Sequence, residues 1–212
     1  PKIGSIKELL ASARADITTD TALLENSFIA GDINVAHRFT QQLYNQRDVI
    51  SFFENKILEQ EQRHRKFRSS SSLLEPNIKN SPGGLRDIHT LLWLAKAQGM
   101  PGTPETLVTE NILTSDEARL LLHSHNQLAR LRIDLHLITK REEDHFVFDY
   151  QTPIAEIWGF KDKSKKNKSE QIMQVLFRAF KTVKQLNHIL IPVLRRRLYS
   201  PYPRLITELD RQ

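Results

Sequence analysis

The sequence predicts an all-α protein, a multi-helix bundle of about eight helices broken by one long Pro/Gly-rich loop at 69–84. Three observations carry that prediction. Apolar residues recur at spacings of three and four rather than two, as they do along a helix with one buried face. Only nine prolines and seven glycines punctuate the 212 residues. Apolar residues make up 39% of the chain and charged residues 26%, a globular mixture large enough to build one substantial core. No internal repeat of roughly 30–45 residues is present, so a helical solenoid is not expected.

Each helix has its own signals. Ser5 stands before "IKELLASARA" as an N-cap, and "TTDTALLENSFIA" reads as a second helix ended by Gly31. "NVAHRFTQQLYNQ" and "RDVISFFENKILEQEQRHRKF" follow as one bent helix, with Val35, Phe39, Leu43, Val49, Phe52, Phe53, Ile57 and Phe67 on its buried side. After the loop, "LRDIHTLLWLAKAQG" runs to Gly99, and "PETLVTE" forms a short helix. The clearest start is Thr114 or Ser115 as N-cap, with Asp116 and Glu117 in the first turn, where acids favour the helix dipole. Leu121, Leu128, Leu131, Leu135 and Ile138 give that helix its apolar stripe. "DYQTPIAEIWGF" ends at Gly159, and a last helix runs from about Ser169 to Tyr199 through a kink at Pro192. Its buried stripe is read as Ile172, Leu176, Phe180, Val183, Ile189, Ile191 and Leu194.

Composition excludes several classes. Without cysteine there is neither a disulfide framework nor a zinc–thiolate site, and a reducing compartment is compatible. No run approaches the roughly 18 apolar residues of a membrane span, and no signal peptide opens the chain. Pro1 is not an initiator Met and "LITELDRQ" stops in mid-pattern, which reads as a piece of a larger protein. The net charge of +6 gathers in "EQRHRKFR" at 61–68, "KDKSKKNK" at 161–168 and "RRR" at 195–197. Such runs are usually solvated faces. They lack the interleaved aromatics and motifs of a nucleic-acid surface, so nucleic acid is not an expected partner.

Known catalytic patterns are missing. His123 and His125 are two apart on one predicted helix, as are Asp134 and His136, so neither pair shares a face. No H-E-x-x-H spacing, His-Asp dipeptide, phosphate loop or nucleophile elbow occurs. Gly4-Ser5 followed by Asp16 has the outline of a Gly-Ser…Asp-x-Asp nucleotidyltransferase signature, but position 18 is Thr18 and the second carboxylate is absent. No catalytic residue and no metal ligand is therefore assigned in this chain.

The stretch "LEPNIKNSPGGLRD", Leu74 to Asp87, departs from its surroundings. Pro76 and Pro82 restrict the backbone, and Gly83-Gly84 allows conformations closed to other residues just before a helix starting at about Leu85. Two readings are open. The helix's first amides, with Lys79 and Arg86 nearby, are able to hold a phosphate or carboxylate. Alternatively Glu75 or Asp87 ties Arg86 and caps the helix, and the stretch is a structural turn.

"EPNIKNSPGGLRDIHTLLWLAK" closely resembles the signature E-P-N-x-K-x-x-P-G-G-L-R-D of bifunctional PII uridylyltransferase/uridylyl-removing enzymes. "ARADITTDTALLENSFIAGD" and "LARLRIDLHLITKREEDHFVFDYQTPIAEIWGF" are similar to that family's flanking segments, so the resemblance covers nearly the whole chain. Ser81 stands where the family often has Gly, and Asn80 where an acid is common. The resemblance implies a glutamine-responsive parent enzyme that moves UMP from UTP to a tyrosine of the PII signalling protein, using Mg²⁺. It further implies a hydrolase domain of the HD type that removes the UMP, and ACT domains beyond it. Residues 1–212 would be the helical domain between the transferase and hydrolase domains, inactive alone, binding no cofactor itself, in a cytoplasmic protein.

Carried onto this sequence, the signature makes Lys79, Arg86 and Asn77 candidates for substrate or phosphate binding. Glu75 and Asp87 would orient those cations or approach the metal through an intervening ligand, and Pro76, Pro82, Gly83 and Gly84 would set the loop's geometry. The expected partners are PII, UTP held by the upstream domain, and the neighbouring domains of the same chain. The alternative is a purely structural spacer or docking scaffold.

Overall fold

The computed structural model describes residues 3–67, 74–162 and 167–200, and these form nine helices with no strand. They are α1 (Ile6–Ala15), α2 (Ile17–Leu24), α3 (Ile33–Gln46), α4 (Val49–Lys66), α5 (Leu85–Ala97), α6 (Pro104–Thr109), α7 (Ser115–Thr139), α8 (Phe148–Ile157) and α9 (Lys168–Tyr199). The all-α expectation holds. Residues 68–73, the first part of the expected loop, and the centre of the lysine-rich segment lie outside the described residues.

Helix α5 is the centre of the bundle. It packs against α2, α4, α7 and α9, while α9 also runs along α7 and α8. Ile88, Leu91, Leu94 and Ala95 of α5 are buried, and they meet Leu121, Leu128, Leu131 and Leu135 of α7 and Leu176, Val183, Leu190 and Leu194 of α9 in one core. Two helix starts follow the sequence closely. Ser5 with Glu8, and Thr114 with Glu117, form reciprocal capping boxes that satisfy amides lacking intrahelical partners.

Other elements differ from the sequence reading. Helix α2 stops at Leu24 rather than at Gly31, because both the backbone amide and the side-chain amide of Asn26 donate to the Leu23 carbonyl and end the ladder. The expected bent helix over 34–67 is two helices. Arg47 is extended, and Asp48 caps α4 by accepting from the amide and hydroxyl of Ser51. Val35 is exposed, since α3 buries only Leu43 fully. Ile189 is exposed as well; the inward positions at that point of α9 are Leu186 and Leu190, which keep the spacing of three to four from Val183. Helix α9 continues through Pro192 as one element.

The one strand-like feature among the described residues is an isolated antiparallel bridge between Asn77 and His145. The Ile78 amide donates to the Asp144 carbonyl at 2.8 Å, and the Phe146 amide to the Pro76 carbonyl at 2.9 Å. Phe146 is fully buried behind this bridge. Phe146→Ala is expected to destabilise the protein by about 3–5 kcal/mol through the cavity it leaves, measured by urea unfolding; a loss below about 1 kcal/mol would show that the bridge is not seated on the core.

Candidate functional site

The loop's backbone is closed on itself. Asn77 Oδ1 accepts from the amides of Lys79 and Asn80, and the Asn77 amide donates to Ser81 Oγ. The Ser81 amide donates to the Asn77 carbonyl, and the Gly84 amide to the Ser81 carbonyl. At the start of α5, the Leu85 amide donates to the Ile78 carbonyl at 3.1 Å and the Arg86 amide to the Lys79 carbonyl at 2.9 Å. The Gly83 amide donates to Asp87 Oδ2 at 2.7 Å, and the Asp87 amide to the Gly84 carbonyl. Every backbone N–H from Asn77 to Asp87 therefore has an acceptor within the protein. This corrects one expectation: the first amides of α5 are already occupied by the loop's own carbonyls and do not form an anion site.

Both glycines are needed for this closure, for different reasons. Gly83 has a φ of +88°, and a Cβ there would stand 2.2 Å from the Phe180 carbonyl oxygen of α9. Gly84 has an ordinary φ of −75°, but a Cβ would lie 2.7 Å from the Ile78 carbonyl oxygen and 2.9 Å from those of Lys79 and Ser81. Backbone cannot yield at such distances without moving the loop or α9.

Asp87 is the centre of the anchoring. Its carboxylate, 1% exposed, accepts from Arg63 Nη2 at 2.6 Å, from His64 Nε2 at 2.9 Å and from the Gly83 amide. Burial alone would push this carboxyl up, but the hydrogen bond and charge of His64, the Gly83 amide and Arg63 outweigh it and hold the group below its ordinary value. Around it, Gln60 Nε2 donates to Asn187 Oδ1 at 3.0 Å, and Asn187 Nδ2 reaches the Asp87 carbonyl at 3.5 Å. Helices α4, α5 and α9 are thereby joined through one polar cluster. Asp87 does not tie Arg86, as the turn reading supposed.

The remaining acid, Glu75, accepts from the Phe148 amide at 3.1 Å, and so caps α8, whose own N-cap Val147 offers no side-chain acceptor. Lys79 Nζ lies 3.8 Å from Asp144, whose carboxylate also accepts from Arg132 Nε at 2.5 Å and approaches His136 at 3.4 Å. Burial pushes Asp144 up, yet Arg132, Lys79 and His136 together hold it below the usual range. Arg86 is different. Its guanidinium lies 5.3 Å from the Trp93 ring centroid, has no acid partner among the described residues, and is lowered in pKa by burial and by the like charge of Arg63.

The structure thus brings Lys79 and Arg86 to one region, buries Asn77 inside the turn, and directs Glu75 and Asp87 to groups other than those two cations. The sequence reading missed Arg63, His64, Arg132 and Asp144. Arg63 and His64 sit in the charge run at 61–68, where Glu61, Gln62, Arg65 and Lys66 do face outward. The signal was the helical spacing: Gln60, Arg63, His64 and Phe67 continue the stripe begun by Phe53 and Ile57. Arg132 and Asp144 carry no comparable sign.

A family model described as GlnD PII-uridylyltransferase matches residues 51–191. That span takes in nearly all of α4, the closed loop, its partners on α7 and most of α9, and the chain belongs to the PII-uridylyltransferase family. Among its relatives, a bifunctional uridylyltransferase/uridylyl-removing enzyme of Chromobacterium violaceum is 49% identical over 203 residues, covering 96% of this chain and 24% of the relative. An enzyme of the same description from Neisseria gonorrhoeae is 48% identical over 209 residues, covering 99% of the chain and 24% of the relative. One from Bordetella avium is 39% identical over 197 residues, covering 93% and 23%. The chain spans about a quarter of the length of these relatives. No solved structure matches it.

Two outcomes test the anchoring. Gly83→Ala is expected to cost about 3 kcal/mol or more, since strain at positive φ adds to the backbone clash; a melting temperature within a degree of wild type would contradict the close approach to α9. Asp87→Asn is expected to cost about 3–5 kcal/mol near neutral pH, because it removes the close anion of the buried Arg63 and leaves it only Glu59 at 3.8 Å. The carboxylate's contribution is complete above its ordinary value of 3.8 and is lost as pH falls through its lower native value. Urea unfolding across the acid range should therefore show a shallower pH slope for the variant, and parallel curves would contradict the assignment.

Proposed function

We propose that this chain is the helical segment of a bifunctional uridylyltransferase/uridylyl-removing enzyme, and that it organises the transferase site. In this reading the parent moves UMP from UTP to a tyrosine of the PII signalling protein, removes it in response to glutamine, and works in the cytoplasm. Family membership supports the parent's chemistry. The segment's role is carried by one observation: the loop's backbone and its acids are engaged in holding the fold, while the Arg86 side chain makes no ion pair among the described residues, the nearby acids Glu59 and Asp144 being paired elsewhere. Lys79, whose contact with Asp144 is long and partly exposed, joins it. These two side chains are the groups with which the segment would meet UTP phosphates or PII.

The residues here do not fit a resident Mg²⁺. Glu75 is engaged by the Phe148 amide and Asp87 by Arg63, His64 and Gly83, and no group of three or more His, Cys, Asp or Glu residues able to hold an ion gathers among the described residues. Magnesium belongs, in this reading, to the parent's transferase domain. Among the described residues no helix is long and apolar enough to cross a membrane.

A second reading, a scaffold that only fixes the orientation of its neighbours, is favoured by the tight seating of Gly83 and Gly84. The two readings part in the full-length enzyme. Lys79→Ala and Arg86→Ala are each expected to lower PII uridylylation by about tenfold or more, the usual worth of a charged hydrogen bond, with unfolding curves unchanged within error. Full activity in both variants would leave the scaffold reading. The 212-residue chain alone is expected not to turn over UTP, and turnover by it would overturn the assignment.

A further inference from the structure

Around Arg86 lies a group of side chains that the loop's anchoring does not use. Arg86, His89 and Trp93 share one face of α5 at spacings of three and four. The Trp93 ring carries two cations, Lys56 Nζ at 4.6 Å and the Arg86 guanidinium at 5.3 Å from its centroid. His89 tilts against Trp93 at 5.7 Å and, across to α7, against His125 at 6.2 Å. Two turns along α7 from His125 stands Arg132, close enough to α5 for its charge to act on both Arg86 and His89. All of Arg86, His89, His125 and Arg132 are partly exposed, so the strip is open to solvent.

These groups are unequally committed. Lys56 is paired with Glu59 at 2.7 Å, Arg63 with Asp87, and Arg132 with Asp144. Arg86 has no carboxylate, and neither ring nitrogen of His89 has a hydrogen-bond partner, among the described residues. Burial, with Arg86 and His125 alongside, pushes His89 down to about 4, so its ring is neutral near pH 7 and offers one N–H donor. The carboxylates whose charge reaches Arg86, Glu59 and Asp144, are already paired with Lys56 and Arg132. A half-buried guanidinium with no ion pair of its own among the described residues, beside two further arginines, is an unfavourable arrangement that an arriving anion relieves. A phosphate group suits it well. It can accept two parallel hydrogen bonds from Arg86 and a third from His89, while Arg132 adds charge from the facing helix.

We propose that Arg86, His89 and Arg132 form a subsite for the phosphate of a uridine nucleotide, with His125 beside it on α7. The proposal rests on the reading that this segment serves uridylyl transfer, which gives the nucleotide its class; it adds His89 and Arg132 and assigns Arg86 to nucleotide rather than to PII.

The test is a titration of the 212-residue chain with inorganic phosphate, UMP and UTP, following the His89 ring protons by NMR. Saturable shifts are expected, with UMP and UTP binding more tightly than phosphate, and with the His89 pKa rising when the anion is bound. Arg86→Gln and His89→Gln should each weaken UMP binding, the former by about tenfold, while Lys184→Gln on α9 should leave it unchanged. Absence of a saturable shift with all three probes, or an Arg86→Gln titration that superposes on wild type, would overturn the subsite. Equal affinity for phosphate and both nucleotides would overturn its assignment to a nucleotide. Full-length enzyme separates this from the broader reading: impaired uridylylation in Arg86→Gln without nucleotide binding by the chain defeats the subsite alone. Nucleotide binding with undiminished uridylylation defeats the reading on which it rests.

Discussion

The buried carboxylate of Asp87 is the constraint on which the rest of the structure depends. One side chain receives the Gly83 amide from the loop, Arg63 and His64 from α4, and stands beside the Asn187–Gln60 pair that reaches α9. A carboxylate with 1% exposure is costly unless its charge and lone pairs are met, and here they are met from separate elements. The arrangement is cooperative for that reason. Helix α4 cannot shift, nor the loop rise from α9, without leaving charge buried and unpaired.

That constraint divides the work of the loop between backbone and side chains. Its amides, apart from that of Ile78, which donates to the Asp144 carbonyl, close on carbonyls and side chains of the same segment; its two glycines let it press against Phe180 and its own turn, and its acids hold neighbouring elements. What a partner can meet is then set by side chains alone. Lys79 and Arg86 project from a frame fixed on several sides, the arrangement a binding group needs if its own rotamer is not to be lost on binding. Under the proposed function, rigidity and recognition are complementary properties of one motif. An odd, Pro- and Gly-rich signature is what such a motif requires, since each residue type has a separate steric or hydrogen-bonding duty.

The helices were largely legible in the sequence because their determinants are local. Ser5 and Thr114 cap helices through residues three positions away, and the Leu121–Leu135 stripe follows from periodicity. The misread points are those where distant groups decide. Asn26 ends α2 by a competing side-chain bond that composition does not distinguish from a helical asparagine. Val35 looked buried because its spacing is right, yet it is exposed, and Leu43 is the one fully buried residue of α3. For the site, the signature's residues were legible as a group through family resemblance. Their partners were not: Asp87 chooses Arg63 and His64 over its neighbour Arg86 because α4 is packed beside α5, a fact of tertiary structure. Lys79 meets Asp144 across more than sixty positions for the same reason.

The loop is a closed, buried part of the core and not an open turn before a helix. Amide hydrogen exchange at Gly83 tests it most directly, since that N–H is held only by Asp87. Gly83 is expected to exchange as slowly as the core amides of α5, through global unfolding alone, and Asp87→Asn to speed it relative to those amides. Exchange of Gly83 at the rate of an exposed turn in the unaltered protein would contradict it.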